Sequence, residues 1–163
     1  MAFGLEQDVE VVNGDLSEFM NSHPEVDCIV SPANSFGQMT GGYDQAISDY
    51  LGWDFQKKVQ AYIKENYHGE QVVGSSFIIN TDKDNLKLIH TPTMRVPTIV
   101  KDPELVYHCT RSTLLCALNN NVQNIVLPAF CSGCGMVDES TVAILMKKAY
   151  MQIKTGHSNE KLL

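Results

Sequence analysis

The chain has 163 residues, with 12 Lys+Arg against 19 Asp+Glu for a net charge of −7 and 44% hydrophobic residues. That is enough for a domain with a real core. The charge disfavours a broad electrostatic grip on nucleic acid or an anionic membrane, and no apolar run approaches the ~20 residues of a membrane span. An anionic small molecule stays open, because backbone amides and helix N-termini supply local positive potential whatever the net charge.

The first residues, Met1 to Glu6, carry no basic n-region and no apolar h-region, so they do not read as a signal peptide. The five cysteines are odd in number and mostly sit in apolar contexts, as in a reducing compartment. The expectation is a cytoplasmic or nuclear protein. There is no repeat, low-complexity tract or internal linker, so the chain reads as one domain over 1–163, with its core at about 9–152, and as a monomer.

Val9, Val11 and Val12 predict a first strand ended by Asn13-Gly14. Asp15 to Met20 reads as a short helix. Cys28-Ile29-Val30 is a compact apolar run, a buried strand. From Tyr43 the pattern turns helical through Ile47, Tyr50 and Leu51, then Phe55, Val59, Tyr62 and Ile63, with Gly52 as a break or bend. Val72-Val73 and Phe77-Ile78-Ile79 predict one strand bulged at Gly74. Leu86, Leu88 and Ile89 predict another, stopped by His90-Thr91-Pro92. Asp102-Pro103 is a helix start, followed by a buried face of Val106, Thr110, Leu114, Ala117 and Leu118. Ile125 to Leu127 is a further buried strand. Asp138 caps a last helix with Val142, Leu145, Met146, Ala149, Tyr150 and Ile153 on one face. Beyond it, Lys154 to Leu163 reads as a polar, frayed end.

Buried β-branched runs alternating with amphipathic helices predict an α/β fold, a mixed, largely parallel sheet covered on both faces. Ligands then sit outside the carboxyl ends of the strands. Two glycine-bearing loops, Ser31 to Asp44 and Cys131 to Gly135, each follow a strand and precede a helix, which puts both at that end. Glycines let a backbone approach a phosphate and offer it N–H groups; they equally serve tight turns. Neither loop fits a Walker A or a G-x-G-x-x-G pattern. Cys131 and Cys134 form a lone C-x-x-C, readable as a redox pair, as half a zinc site, or as small residues beside a phosphate. His90 ends a strand and reads as a packed histidine more readily than a catalytic one. Asp44 either caps its helix or serves as a base beside a bound sugar, and spacing does not choose between them.

Ser31-Pro32-Ala33-Asn34-Ser35, then Gly41-Gly42-Tyr43-Asp44-Gln45-Ala46-Ile47, resemble the macrodomain family, the ADP-ribose-binding fold. In its hydrolase branch a strand ends in Asn-Ala-Ala-Asn-Ser, followed by a glycine run and Val-Asp-x-Ala-Ile. The interval from Asn34 to Asp44 equals the family's. Gly14-Asp15-Leu16-Ser17 is similar to its Gly-Asp-Ile-Thr, and Ile89-His90-Thr91-Pro92 to its Ile-His-x-x-x-Pro region. Leu127 to Gly135 is similar to its second phosphate loop, in the shorter form of a divergent branch seen in some fungal and phage proteins. Met39 and Thr40 stand where glycines usually do, which implies a stiffer loop. Ser31 replaces the first Asn, and the usual aromatic near the distal ribose is missing from the second loop, with Phe36 or Tyr43 as its stand-in.

The resemblance implies a three-layer α/β/α sandwich that binds ADP-ribose, free or on mono-ADP-ribosylated proteins, with no metal or cofactor. Asp15 would accept from the adenine amine and the Leu16 backbone would meet the ring edge. Ala33 and Asn34 would line the distal ribose, with Asn34 bonding it. Gly41 and Gly42 would close over ribose and diphosphate, while Ser132, Gly133, Cys134 and Gly135 would cradle the diphosphate with their amides. Asp44 would help activate water at the anomeric carbon, with Asn34 placing the ribose. The implied activity is removal of mono-ADP-ribose from acidic side chains. The alternatives are a non-catalytic reader, an ADP-ribose 1″-phosphate phosphatase, and a structural domain with a dead site.

Overall fold

The computed structural model describes residues 8–156. Four strands, β1 (Cys28–Ser31), β2 (Phe77–Asn80), β3 (Lys87–His90) and β4 (Ile125–Val126), form one sheet in the order β2-β3-β1-β4. β1 runs parallel to both β3 and β4, and β2 pairs antiparallel with β3. The sheet is thus mixed and mostly parallel.

Alternation along the central strands separates two cores. Cys28 and Val30 of β1 and Ile89 of β3 face one cluster, with Val106, Cys109 and Ala117 of α4 (Glu104–Asn119) and Val142, Leu145 and Met146 of α5 (Glu139–Thr155). Ile29 and Leu88 point the other way. They meet Leu16 and Met20 of α1 (Leu16–Ser22), Ile47 of α2 (Gly42–Leu51), and Val59 and Ile63 of α3 (Phe55–Tyr67). With helices on each face, the four fully buried residues of β1 read as a continuous apolar run ending in a serine. This is the expected α/β/α sandwich.

The local signals mostly hold. Asp15 is the N-cap of α1 and its Oδ1 accepts from Glu18 N at 2.9 Å. Gly52, at φ 97°, separates α2 from α3. Asp138 caps α5 through the Thr141 amide. Asp102 Oδ1 accepts from Glu104 N at 3.0 Å, so it serves the start of α4 across Pro103.

Three expectations fail. Residues 9–12 form no strand: Val11 and Val12 are both exposed, so the segment has no face to bury, and only Val9 packs on a core. Val72-Val73 do not join β2. A turn in which the Ser75 amide and hydroxyl both bond Val72 O closes the segment, and Gly74 (φ 82°) donates to Pro92 O rather than forming a bulge. On α4 the buried stripe is Val106, Cys109, Thr110, Thr113 and Ala117; Leu114 is half-buried and Leu118 exposed, one position off that stripe. At the C-terminus α5 stays helical to Thr155 and Gly156 caps it; residues 157–163 of the predicted frayed end, like residues 1–7, lie outside the described residues.

Candidate functional site

The parallel pairing of β1 with β3 and β4 brings the loops after β1 and β4 to the same edge of the sheet. α1 leads into β1 through a short connection, so its N-terminus, with Asp15, returns to that edge. α2 and α5 begin there too, after the two loops. Three helix N-termini, one of them with a free glycine cap, therefore frame the end of β1.

The base of the first loop is rigid. Ladder pairing of β1 with β3 continues past both strands: Thr91 N bonds Ser31 O, Thr93 N bonds Ala33 O, and Ser35 N bonds Met94 O. Ala33 and Asn34 are buried on this extension. The Asn34 side chain knits the turn that follows. Its Oδ1 accepts from the amides of Phe36 (3.1 Å) and Gln38 (3.3 Å), and its Nδ2 donates to Gln38 Oε1 at 2.9 Å. A second Nδ2 proton is left for a ligand. Phe36 is half-buried, with the Arg95 guanidinium 5.1 Å above its ring and Arg95 paired to Glu70.

Met39, where a flexible glycine was the family expectation, is 1% exposed. Its side chain sits in the core with Ile47 and Val59, Gln56 Oε1 holds its amide, and Ser48 donates to its carbonyl. Thr40, Gly41 and Gly42 then run exposed into α2. Gly41 is the extended N-cap without a side-chain bond, and Gly42 sits at φ 55°, a conformation that favours glycine. The amides of residues 40–43 have no acceptor among the described residues.

Asp44 does not cap α2. It turns inward, is 7% exposed, and its Oδ1 accepts from the Ser31 hydroxyl at 2.5 Å. Burial pushes its carboxyl up to about 7, with the Ser31 hydrogen bond opposing. Of the two readings left open above, capping is therefore excluded. Tyr43, beside it, has a buried hydroxyl without a partner, and burial raises its phenol far above the usual range. Tyr43 packs with the cluster that contains Leu16 and Met20, so it belongs to the α1 side of the cleft.

The second loop is set by non-local contacts. Cys131 (φ 65°) and Met136 (φ 57°) take left-handed conformations, and Val137 N returns to Cys131 O. A Cβ on Gly135 would lie 2.6 Å from Cys131 O and 2.9 Å from Val100 Cγ2. Gly135 O also accepts from Val100 N, which ties this loop to the 92–103 segment. Ser132 donates its hydroxyl to Ala129 O. Gly133 and Cys134 are exposed, and the amides of residues 133–135 have no protein acceptor among the described residues. No Lys or Arg lies within either loop, so the donors they present to the cleft are backbone N–H groups.

Cys131 is buried and burial pushes its thiol up to about 11, the reverse of an activated thiolate. Among the described residues no group of three or more His, Cys, Asp or Glu is placed to hold a metal. His90 is fully buried; its Nδ1 donates to Gln71 Oε1 at 2.5 Å, its Nε2 has no partner, and burial lowers it to about 3. It is the packed histidine anticipated. Two open depressions of about 390 Å³ each lie along Arg95, and neither includes Asn34 or Asp44.

The Macro domain family model matches residues 30–146, from the end of β1 to the middle of α5. The chain belongs to the macro domain family. An uncharacterized protein of Aquifex aeolicus is 30% identical over 142 residues, 85% of this chain and 78% of that protein. The macrodomain of Mycobacterium tuberculosis DarG superposes with TM-score 0.71 at 17% identity, over 87% of this macro domain and 89% of that chain. The Oceanobacillus iheyensis macrodomain with ADP superposes with TM-score 0.68 at 23% identity, over 78% and 69%. At these identities the likeness to the solved structures is one of fold.

Sequence reasoning missed four residues at this site. Ser31 was noted only as a departure from the family, whereas it is the partner of Asp44. Gln38, Gln56 and Ser48 hold Asn34 and Met39. No local pattern marks any of them, because each contact joins the loop to itself or to a later helix.

Proposed function

We propose that this macro domain binds ADP-ribose between its two loops and removes mono-ADP-ribose from acidic side chains of modified proteins. The observation that carries the reading is Asp44: a buried carboxyl that does not cap its helix, is pushed to about 7, and stands at the family interval from Asn34. Such a group is poised as a base near neutral pH. Binding of the Oceanobacillus iheyensis relative to ADP, and of a mutant of it to ADPR, supports the choice of ligand.

In this reading the free amides of residues 40–43 and 133–135 receive the diphosphate and ribose oxygens. Asp15 keeps one carboxylate oxygen for the adenine amine, and the unpaired amide of Leu16 meets the ring edge. The remaining Nδ2 proton of Asn34 goes to a hydroxyl of the distal ribose. Asp44 takes a proton from water as the water oxygen attacks the anomeric carbon. The bond from that carbon to the side-chain ester oxygen breaks, and the carboxylate of the modified protein leaves. ADP-ribose and an unmodified acidic side chain are the products.

A specific observation favours a second reading, a reader without turnover. Met39 is locked in the core, so the loop cannot flex as a glycine run does. The test is incubation with a Glu-linked mono-ADP-ribosylated protein. Release by wild type and its loss in Asp44→Ala support hydrolysis. No release, or equal release by both, overturns it, and calorimetric binding of ADP-ribose without release selects the reader.

A further inference from the structure

Each oxygen of the Asp44 carboxyl has a different fate. Oδ1 accepts from Ser31 Oγ across 13 residues of chain. Oδ2 has no protein partner and is not among the fully buried unpartnered atoms, so it keeps its contact with solvent. Ser31 cannot shift to accommodate a different orientation. It is fully buried, its carbonyl is fixed by Thr91 N in the ladder extension, and it sits opposite His90 in register. Its Oγ lies 3.4 Å from Ala33 N, an acceptor contact that leaves the single hydroxyl proton for Asp44.

We propose that Ser31 is the positioning residue of this site: its hydroxyl clamps one oxygen of Asp44 and turns the other toward the cleft. The inference rests on the hydrolase reading for its consequence, although the clamp itself does not. A donor to the carboxylate favours the ionised form against burial. The ionisable groups on the elements around it are Cys28 on β1, Lys87 and His90 on β3, Glu18 on α1 with Asp15 at its cap, Tyr43, Asp49 and Tyr50 on α2, and Lys57, Lys58, Tyr62, Lys64, Glu65 and Tyr67 on α3. Burial and Ser31 are what act on Asp44 itself, and Tyr43 responds to Asp44 in turn. Ser31 therefore fixes the direction of the proposed base and opposes the effect of burial on its ionisation.

The test is the titration of the Asp44 side-chain carbon, assigned by difference against Asp44→Asn and followed by carbon NMR in wild type, Ser31→Ala and Ser31→Thr. The expected result is a higher midpoint in Ser31→Ala and a wild-type midpoint in Ser31→Thr, which keeps the hydroxyl. Ser31→Cys, close in size with a weaker donor, gives an intermediate midpoint and covers a failure of the alanine variant to fold. In the release assay kcat falls about tenfold in Ser31→Ala with KM little changed, the loss of one hydrogen bond to a charged group. The acidic limb of the pH profile moves up with the midpoint. An Asp44 midpoint indifferent to Ser31→Ala and Ser31→Cys overturns the proposal, whatever the activity. A midpoint that moves in a protein that releases nothing retains the clamp and overturns the hydrolase reading instead.

Discussion

Gln56 Oε1 accepts a hydrogen bond from the Met39 amide at 2.8 Å, tying the loop after β1 to a helix that the chain reaches only after another helix has intervened. Ser48 holds the Met39 carbonyl and the core holds its side chain. The stretch between Asn34 and Gly41 is thus pinned at its middle. Only residues 40–42 are left to adapt to a ligand.

Met39→Gly removes that pin. A methionine this buried contributes as a core residue, and its loss costs about 2–5 kcal/mol. The expected outcome is a lower denaturation midpoint together with weaker binding of ADP-ribose. Urea unfolding and calorimetry check the two separately, and a variant of unchanged stability contradicts the pinned loop.

Gly135 and Gly133 stand two residues apart and respond differently to alanine. At Gly135 the new Cβ meets the Cys131 carbonyl at 2.6 Å, so the loop must shift, at a cost of about 1–3 kcal/mol. At Gly133 nothing lies within 4 Å. Thermal unfolding of the two variants shows a clear loss for Gly135→Ala and little change for Gly133→Ala.

Asp44 and His90, both buried, impose opposite pH dependence on stability. Asp44 has a native pKa raised to about 7 from an ordinary 3.8, so its favourable contribution is complete below 3.8 and is lost as pH rises through about 7. Asp44→Asn therefore stabilises the protein at pH 8 relative to wild type, by at most about 4 kcal/mol, and leaves it unchanged near pH 4. Urea denaturation at the two pH values measures the difference. If the domain hydrolyses its ligand as proposed, release of ADP-ribose follows the ionised carboxyl and rises with pH through about 7.

His90 works the other way. Its native pKa, lowered to about 3 from 6.5, makes its contribution complete above 6.5 and lost as pH falls toward 3. Gln71→Leu strips the acceptor from His90 Nδ1 and leaves that donor buried, which costs about 1–3 kcal/mol at pH 7. Gln71 N also bonds Ser35 O, so the same variant loosens the base of the first loop only if the backbone moves. Chemical denaturation at pH 7 tests the first effect; amide shifts of Ser35 and Phe36 test the second.

What was legible in the chain was local. The short helix after Asp15, the Asp138 cap, the break at Gly52 and the apolar run of β1 each depend on neighbours in sequence, and each is found. What failed depended on partners. Val11-Val12 and Val72-Val73 have strand-like side chains but no strand to pair with, and a serine turn closes the second segment before β2 begins. The site divides the same way. Its two glycine loops were visible because a strand, a glycine and a helix follow one another. The inward turn of Asp44 was not, because it depends on a serine at the far end of the loop. Nor was the requirement for Gly135, which comes from the Cys131 carbonyl where the loop folds back and from Val100 in another segment.

The central claim is that the two loops form one binding cleft, and an amide-shift titration with ADP-ribose tests it most directly. The account predicts that the amides of Leu16, Gly41, Gly42, Gly133, Cys134 and Gly135 move together along a single saturation curve, while the buried His90 amide stays still. No saturable change, or changes confined to the depressions along Arg95 and Lys101, would contradict it.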